Sequence, residues 1–256
     1  MKLAIIQARM GSTRFPGKVL RRIGERSVLE MICTRVKNAT SIDQLVVATS
    51  VHARDNEIEK ACLEMGVNVF RGSESDVLDR FYRVCLKYKA TDVLRITADC
   101  PLVDPGLIDR LYAFYKLGGY DHAGVATGAG VDSSNVFRFP DGLDSEWFNF
   151  QALEKANASA TNMLDREHVT PYIWNNKDLF KVGIFQSRID YSNVRLTLDT
   201  SLDLDTFNEM YVHFGNLIYN ISYQEVVEWI KQLPSVPPSF KLIGEENYGV
   251  FYDETN

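Results

Sequence analysis

The chain opens with MKLAIIQARMGSTRFPGK (Met1–Lys18), a short apolar strand followed at once by a loop with two glycines, two arginines and a lysine. Such a loop offers backbone N–H groups and positive charge together, which is what a polyphosphate requires. It is not a Walker A loop, because five residues rather than four separate Gly11 from Gly17, and Val19 follows Lys18 where a serine or threonine is needed. We therefore expect a phosphate-binding loop of another type.

Around this loop, the first half of the sequence alternates apolar, strand-like segments with amphipathic, helix-like ones. This alternation predicts a parallel sheet covered by helices on both faces, and the run LVVAT (45–49) is typical of a strand buried on both sides. In such sheets ligands bind beyond the carboxyl ends of the strands, where the opening loop lies. The sequence therefore predicts an α/β fold whose central sheet is mostly parallel.

From about Asp121 the alternation becomes irregular, which predicts a mixed C-terminal part of the sheet. We expect one domain over 1–256, in which 121–190 is an excursion on the substrate side and 235–256 is a loosely attached tail. Further strands are expected at 122–127, 135–140, 145–150, 180–188 and 194–200, and helices at 151–158, 165–176, 202–215 and 222–233.

Composition restricts the class of function. With 256 residues, 45% of them hydrophobic, the chain can bury a full core. A net charge of −6 argues against a nucleic-acid partner, so clustered positive charge is expected to bind a small anion. No apolar stretch approaches a membrane span, and the four cysteines have neither zinc-site spacing nor secreted-domain density. We expect a cytoplasmic protein with reduced thiols and no membrane partner.

Two acidic residues follow apolar runs in distant parts of the chain. Asp99 ends the strand-like segment RIT before a Cys-Pro turn, and the nearby Asp104 is better placed to cap the next helix because it directly precedes Pro105. Asp199 follows VRLTL, where helix capping is an equally good explanation when it is considered alone. Two strand-end carboxylates above one polyphosphate loop are typical of a Mg²⁺ site.

Two further segments allow both a functional and a structural interpretation. In PDGLDSE (140–146), Asp144 and Glu146 have the i, i+2 spacing that lets both project into a pocket, although a turn followed by a solvated strand face explains the pattern slightly better. In DREHVTPY (165–172), His168 could contact a substrate or act as a base, but a lone histidine among charged residues is more often structural.

The ends of two other predicted strands would face the same crevice. In VFRGSESDV, the serines and Asp76 are explained by capping of the following helix. If the crevice binds a nucleoside, however, this strand end would be the place to meet it, and so would VATS at 47–50.

Five of these segments occur in an order that resembles the cytidylyltransferases of the spore-coat polysaccharide biosynthesis protein F family, relatives of the acylneuraminate and 3-deoxy-manno-octulosonate cytidylyltransferases. The segments are QARMGSTRFPGKVL, TADCPLVDP, PDGLDSE, EHVTPYI and RLTLDT. The resemblance covers most of residues 1–210 and becomes weaker after them. It implies a Rossmann-like nucleotide-diphospho-sugar transferase fold with CTP in the crevice.

The resemblance also implies residue roles. It places Mg²⁺ on Asp99 and Asp199, catalysis on Arg14, Lys18 and Asp99, and the substrate beside Asp144, Glu146 and His168. The residues expected to bind the nucleotide are Ala8, Arg9, Gly11, Ser12, Thr13, Arg14, Lys18, Ala48, Thr49, Gly72, Ser73, Thr97 and Ala98.

The predicted reaction is attack of an acceptor oxygen on the α-phosphorus of CTP, with pyrophosphate as the leaving group. The acceptor would be a sugar acid, a sugar phosphate or a related metabolite, the product a CMP- or CDP-linked compound for surface polysaccharide, and the protein a homodimer. One alternative is a glycosyltransferase, although its usual strand-end D-x-D occurs here only as Asp203-Leu204-Asp205 on a predicted helix. The other alternative is a binding protein that senses a nucleotide without chemistry.

Overall fold

The computed structural model describes residues 1–131 and 136–233. The strands are β1 (Lys2–Gln7), β2 (Arg22–Ile23), β3 (Arg26–Ser27), β4 (Gln44–Ser50), β5 (Asn68–Gly72), β6 (Asp92–Thr97), β7 (His122–Val125), β8 (Glu146–Asn149) and β9 (Val182–Phe185). The α-helices are α1 (Val28–Lys37), α2 (Asn56–Glu64), α3 (Val77–Tyr88), α4 (Pro105–Gly118), α5 (Phe150–Ser159), α6 (Met163–His168), α7 (Pro171–Asn175), α8 (Ser201–Phe214) and α9 (Tyr223–Gln232). Short 3-10 helices cover Lys18–Leu20, Ala53–Asp55 and Gly215–Tyr219.

Among the described residues, seven strands form one sheet in the order β5-β4-β1-β6-β8-β7-β9. The first four strands in this order run parallel to one another. On the other side, β8 is antiparallel to both β6 and β7, and β9 is parallel to β7. The predicted α/β class, with a mostly parallel sheet and a mixed C-terminal part, is therefore confirmed.

Helices cover both faces of the sheet, as the apolar strands predicted. In β1, Ala4 and Ile6 belong to a core that includes side chains of α1 and α4. Leu3 and Ile5 belong to a second core with side chains of α3 and α5. Because alternate residues of a strand point to opposite faces, an uninterrupted apolar strand is what a sheet covered on both sides requires.

Two predicted strands are wrong. The segment 194–200 is extended, but it forms only one isolated bridge, between Asp141 and Arg195. Its backbone is paired with a turn and a loop instead of a strand: Leu198 N donates to Asp99 O and Leu196 N to Asp141 O. The described part of the other segment, 136–140, contains no strand.

The helix expected at 165–176 is divided into α6 and α7. Val169, between them, has a φ of 73°, outside the helical range. Pro171 has no backbone N–H with which to continue α6, and it occupies the first turn of α7, where that N–H is not needed.

The region 121–190 supplies β7, β8 and β9 to the central sheet. Its interpretation as a substrate-side excursion stays a prediction, and the tail expected at 235–256 lies outside the described residues. No helix within 1–131 and 136–233 has both the length and the apolar character that crossing a membrane requires. The four cysteine thiols, all within the described ranges, are buried and free.

Candidate active site

The candidate site lies along the carboxyl edge of β5, β4, β1 and β6. Because these strands are parallel and adjacent, their last residues and the turns after them share one edge. The structure therefore brings together the residues expected to bind the nucleotide, whose individual roles stay predictions. They are Ala8 to Lys18 after β1, Ala48 and Thr49 in β4, Gly72 and Ser73 at the end of β5, and Thr97 and Ala98 at the end of β6.

The loop after β1 is held by a carboxylate that the sequence did not indicate. Asp55 accepts hydrogen bonds from Met10 N at 2.8 Å and from Ser50 N at 3.1 Å. Burial alone raises the pKa of Asp55, but hydrogen bonds from Ser50 and from the Met10 N–H lower it below its ordinary value. The loop is thus attached to the end of β4, and it ends at Gly17, whose φ of 72° leads into the 3-10 helix of Lys18.

Lys18 contacts both predicted Mg²⁺ ligands, Asp99 and Asp199. Its Nζ lies 3.3 Å from Asp99 Oδ2, 3.0 Å from Asp199 Oδ1 and 2.8 Å from Leu198 O. The side chain of Lys18 is only 11% exposed. Burial raises the pKa of Asp99, but the Lys18 ammonium and the hydrogen bonds to the carboxylate, from Thr97 among others, together lower it below its ordinary value. Arg14 Nη2 lies 3.2 Å from Asp199 Oδ1, so both predicted catalytic cations reach this carboxylate.

Arg195, which the sequence did not single out, fixes the other oxygen of Asp199. Its Nη2 lies 2.8 Å from Asp199 Oδ2, and its Nη1 lies 2.9 Å from Asp203 Oδ1. Asp203 also accepts the backbone N–H of Asp199 and of Thr200, which caps α8. The Asp203 carboxylate is therefore already bonded within the protein, which does not suit the D-x-D role considered above.

Asp144 lies close to Asp99, with the Cys100 thiol between them. Cys100 Sγ is 3.6 Å from Asp99 Oδ1 and 3.7 Å from Asp144 Oδ2. Asp144 is further held by Thr127 Oγ1 and by Gly142 N. Burial first, and then the charge of Asp99, raise its pKa, although Thr127 partly offsets this.

A second acid, Asp141, joins the same cluster. Its pKa is raised to about 7, by burial first and then by Asp144, although Arg195 partly counters the increase. Four carboxylates thus crowd the site, which favours the binding of cations. Even so, no three His, Cys, Asp or Glu side chains of the described ranges are arranged to hold a metal ion by themselves.

Glu146 has a different environment from Asp144. It is 6% exposed and is bonded to Arg95, to His122 Nε2 at 3.1 Å and to Thr170 Oγ1 at 3.0 Å. Although burial raises the pKa of Glu146, Arg95 and His122 lower it to about 2. Both carboxylate oxygens have protein donors, so the structure shows Glu146 as the centre of a buried network; direct contact with substrate stays a prediction.

The segment EHVTPY lies beside the phosphate loop. Glu167 Oε1 in α6 is 3.4 Å from Arg9 Nη2, and Arg166 bonds to Asp76 at the start of α3. His168 ends α6; its pKa is lowered by partial burial first and then by the nearby Arg95 and Arg9. The structure therefore brings His168 to the site, while its predicted contact with substrate stays a prediction.

The turn that follows Asp99 is supported from behind by Arg35 of α1, which is fully buried. Its guanidinium donates to four backbone carbonyls, those of Val103 at 2.8 Å, Leu102 at 3.3 Å, Ile218 at 3.0 Å and Ile221 at 2.7 Å. The position of the Asp99 carboxylate is thus connected to the C-terminal helices.

The fold and the family of the chain together indicate a nucleotidyltransferase. This chain belongs to the cytidylyltransferase family, which matches residues 3–238. The sequence-based family assignment is therefore confirmed, and family membership supports nucleotidyltransferase chemistry over the glycosyltransferase and sensor alternatives.

Three comparisons describe the similarity. The chain is 37% identical over 248 residues to an uncharacterized protein of Methanocaldococcus jannaschii, covering 96% of this chain and 97% of the other. It is 35% identical over 239 residues to the spore coat polysaccharide biosynthesis protein SpsF of Bacillus subtilis, covering 91% and 95%. A cytidylyltransferase structure from Leptospira borgpetersenii superposes with a TM-score of 0.84 at 30% identity, covering 95% of this chain and 99% of that one. The expected Rossmann-like nucleotidyltransferase fold is confirmed.

Proposed function

We propose that this protein uses CTP and Mg²⁺ to activate a sugar acid, a sugar phosphate or a related metabolite as a CMP- or CDP-linked product, with release of pyrophosphate. The observation that carries the proposal is the convergence of Lys18 and Arg14 on Asp99 and Asp199 at the carboxyl edge of the sheet. The name of the Bacillus subtilis relative supports a place in surface polysaccharide biosynthesis.

The residues present suit direct transfer without a covalent enzyme intermediate. The loop after β1 would hold the triphosphate, and Arg14 and Lys18 would stabilise the negative charge that develops on pyrophosphate as it leaves. Cys100 lies among the acidic residues, but burial and the charges of Asp99 and Asp144 raise the pKa of its thiol well above the ordinary value. A thiol that stays protonated is a poor nucleophile.

The donor set of Asp99 and Asp199 suits Mg²⁺, which prefers oxygen ligands from one or two carboxylates together with substrate phosphates and water. When bound, the ion would neutralise phosphate charge. The protein's own contribution would be to hold the two carboxylates near each other. Lys18 bonds to Asp99, and Arg195 bonds to Asp199.

The test is to incubate the purified protein with Mg²⁺, a pooled acceptor library and, separately, CTP, UTP, GTP, ATP or dTTP, and to measure pyrophosphate. Release with CTP alone supports the proposal, and division of the pool then identifies the acceptor. Absence of both pyrophosphate release and a CTP-induced rise in melting temperature would overturn it. We also propose that the protein is a homodimer, as the sequence-based resemblance implies, and sedimentation of the same preparation tests this.

A further inference from the structure

The Lys18 ammonium lies among three oxygen atoms of the kind that a divalent cation binds. Lys18 Nζ is 3.3 Å from Asp99 Oδ2, 3.0 Å from Asp199 Oδ1 and 2.8 Å from Leu198 O. The side chain of Lys18 is only 11% exposed, so the ammonium is largely shielded from water. Carboxylate and backbone carbonyl oxygens are also the protein ligands of hard cations. The ammonium and the proposed Mg²⁺ ion therefore require the same carboxylates.

Two arginines add to the positive charge around Asp199. Arg14 Nη2 lies 3.2 Å from Asp199 Oδ1, and Arg195 Nη2 lies 2.8 Å from Asp199 Oδ2. A divalent cation added to this arrangement would be repelled at short range by the charges of Lys18, Arg14 and Arg195. In the part of the chain that the structure describes, no three His, Cys, Asp or Glu side chains could hold a metal ion by themselves. Further oxygen ligands and the departure of one cation are therefore needed.

Lys18 is the cation best placed to leave. Arg195 is held by a second carboxylate, because its Nη1 lies 2.9 Å from Asp203 Oδ1. The ammonium of Lys18, in contrast, is carried on a flexible stem of four carbons, so it can move while the backbone stays in place. Lys18 also ends the loop that is expected to bind the triphosphate, whose negative charge offers the ammonium another partner.

We propose that the Lys18 ammonium keeps divalent cations away from Asp99 and Asp199 until a triphosphate draws it out of the site. This inference rests on the proposed function and names how its metal site is controlled. The triphosphate then provides a partner for the ammonium and oxygen ligands for the ion. The two roles of Lys18 follow one another: it neutralises the carboxylates in the nucleotide-free protein, and it contacts the phosphates once the nucleotide is bound.

The first experiment titrates Mn²⁺ into the nucleotide-free protein and measures binding by electron paramagnetic resonance. Mn²⁺ serves as the probe because it binds the same oxygen ligands as Mg²⁺. Lys18→Met and Lys18→Gln both remove the ammonium, so each should bind Mn²⁺ about 10-fold or more tighter than the wild type. Lys60→Met makes the same replacement on an exposed part of α2 and should bind Mn²⁺ as weakly as the wild type.

Three further readouts locate the ion and follow the ammonium. Addition of Asp99→Asn to Lys18→Met should abolish the gained Mn²⁺ affinity, because it neutralises one of the two carboxylates. Mn²⁺ should raise the melting temperature of Lys18→Met but not that of the wild type, a comparison that also works if the variant is less stable. In calorimetry with EDTA present, Lys18→Met should bind CTP about 10-fold or more weakly than the wild type, because the contact of the ammonium with the phosphates is lost.

The outcomes that overturn the inference differ from those that overturn the proposed function. Equal Mn²⁺ affinity of the wild type and both Lys18 variants would show that the ammonium excludes nothing. A gain in Lys18→Met that survives the added Asp99→Asn would place the ion elsewhere, and unchanged metal-free CTP binding by Lys18→Met would show that Lys18 does not move to the phosphates; each result overturns the inference alone. A wild-type protein that binds no CTP would overturn the proposed function, and this inference with it.

Discussion

Lys18 and Asp199 are 181 residues apart in the sequence, and Lys18 Nζ lies 3.0 Å from Asp199 Oδ1. The same ammonium reaches Asp99 Oδ2 at 3.3 Å. One nearly buried positive charge therefore holds together two carboxylates from opposite parts of the chain, and its removal leaves like charges facing each other.

Substitution of the cations at the site should slow the reaction. We expect Lys18→Ala and Arg14→Ala each to lower turnover about 10²-fold or more, since in the proposed reaction each would remove a charge that stabilises the leaving group. Pyrophosphate release at saturating CTP measures the effect, and Lys60→Ala, on an exposed part of α2, is the matched control. Near-normal turnover in either variant would rule out its assignment.

Asp99→Asn tests the proposed Mg²⁺ site with almost no change in side-chain shape. We expect it to abolish Mg²⁺-dependent activity and to weaken Mg²⁺ binding by the CTP complex, because a neutral amide is a poorer ligand for a hard cation. Calorimetric titration of Mg²⁺ provides the second readout, and the melting temperature checks that the fold is intact. The exposed Asp178→Asn is the control; if Asp99→Asn bound Mg²⁺ as well as this control does, the ligand assignment would be wrong.

The buried network around Glu146 should appear in the acid stability of the protein. The folded-state pKa of Glu146, about 2, lies below its ordinary value of 4.5. Its contribution is therefore complete above pH 4.5 and is lost as the pH falls toward 2. We expect Glu146→Gln to lower the free energy of unfolding by about 3 kcal/mol at pH 7.

This difference should shrink when urea unfolding is repeated at progressively lower pH, because the wild-type carboxylate becomes protonated. Glu154→Gln, which changes an exposed glutamate of α5, should leave the unfolding free energy close to wild type throughout. A Glu146→Gln effect that is independent of pH would indicate lost packing instead of a lost charge.

The four thiols should be unreactive in the folded protein. Burial raises the pKa of Cys33 and of Cys62 to about 12, and it raises the pKa of Cys85 and Cys100 as well. Because the thiolate is the reactive form, we expect Ellman's reagent to modify none of them until urea is added. Rapid modification of one thiol in the native protein would show that its site opens easily.

The sequence could predict those residues of the site that lie at the ends of apolar strands, because the pattern of strands and helices is local. Lys18 and Asp99 each follow an apolar strand, and the alternation of strands and helices places all such strand ends at one edge of the sheet. Asp104 likewise occupies the helix cap that its position before Pro105 indicated.

The part that could not be predicted depends on contacts between distant segments. Arg195 and Asp141 become neighbours because the segment 194–199 pairs with loop backbone, a pairing that leaves no periodic signal. Arg80 is 2% exposed, although it lies in an amphipathic helix, where an arginine ordinarily occupies an exposed position. Glu146 shows the same error, since its spacing from Asp144 favoured a solvated strand face, whereas the structure buries it with hydrogen bonds from His122 and Thr170 of other elements.

The four carbonyls that accept hydrogen bonds from Arg35 come from two distant parts of the chain, so the ribosome synthesises them at different times. Leu102 and Val103 leave the ribosome early, but Ile218 and Ile221 follow more than a hundred residues later. Before Ile218 is synthesised, only two of the four carbonyls that accept hydrogen bonds from Arg35 exist, those of Leu102 and Val103. The loop QARMGSTRFPGK is therefore synthesised long before Ile218 and Ile221, whose carbonyls complete the acceptors of Arg35, so the first half of the chain cannot build the support of the turn after Asp99 on its own.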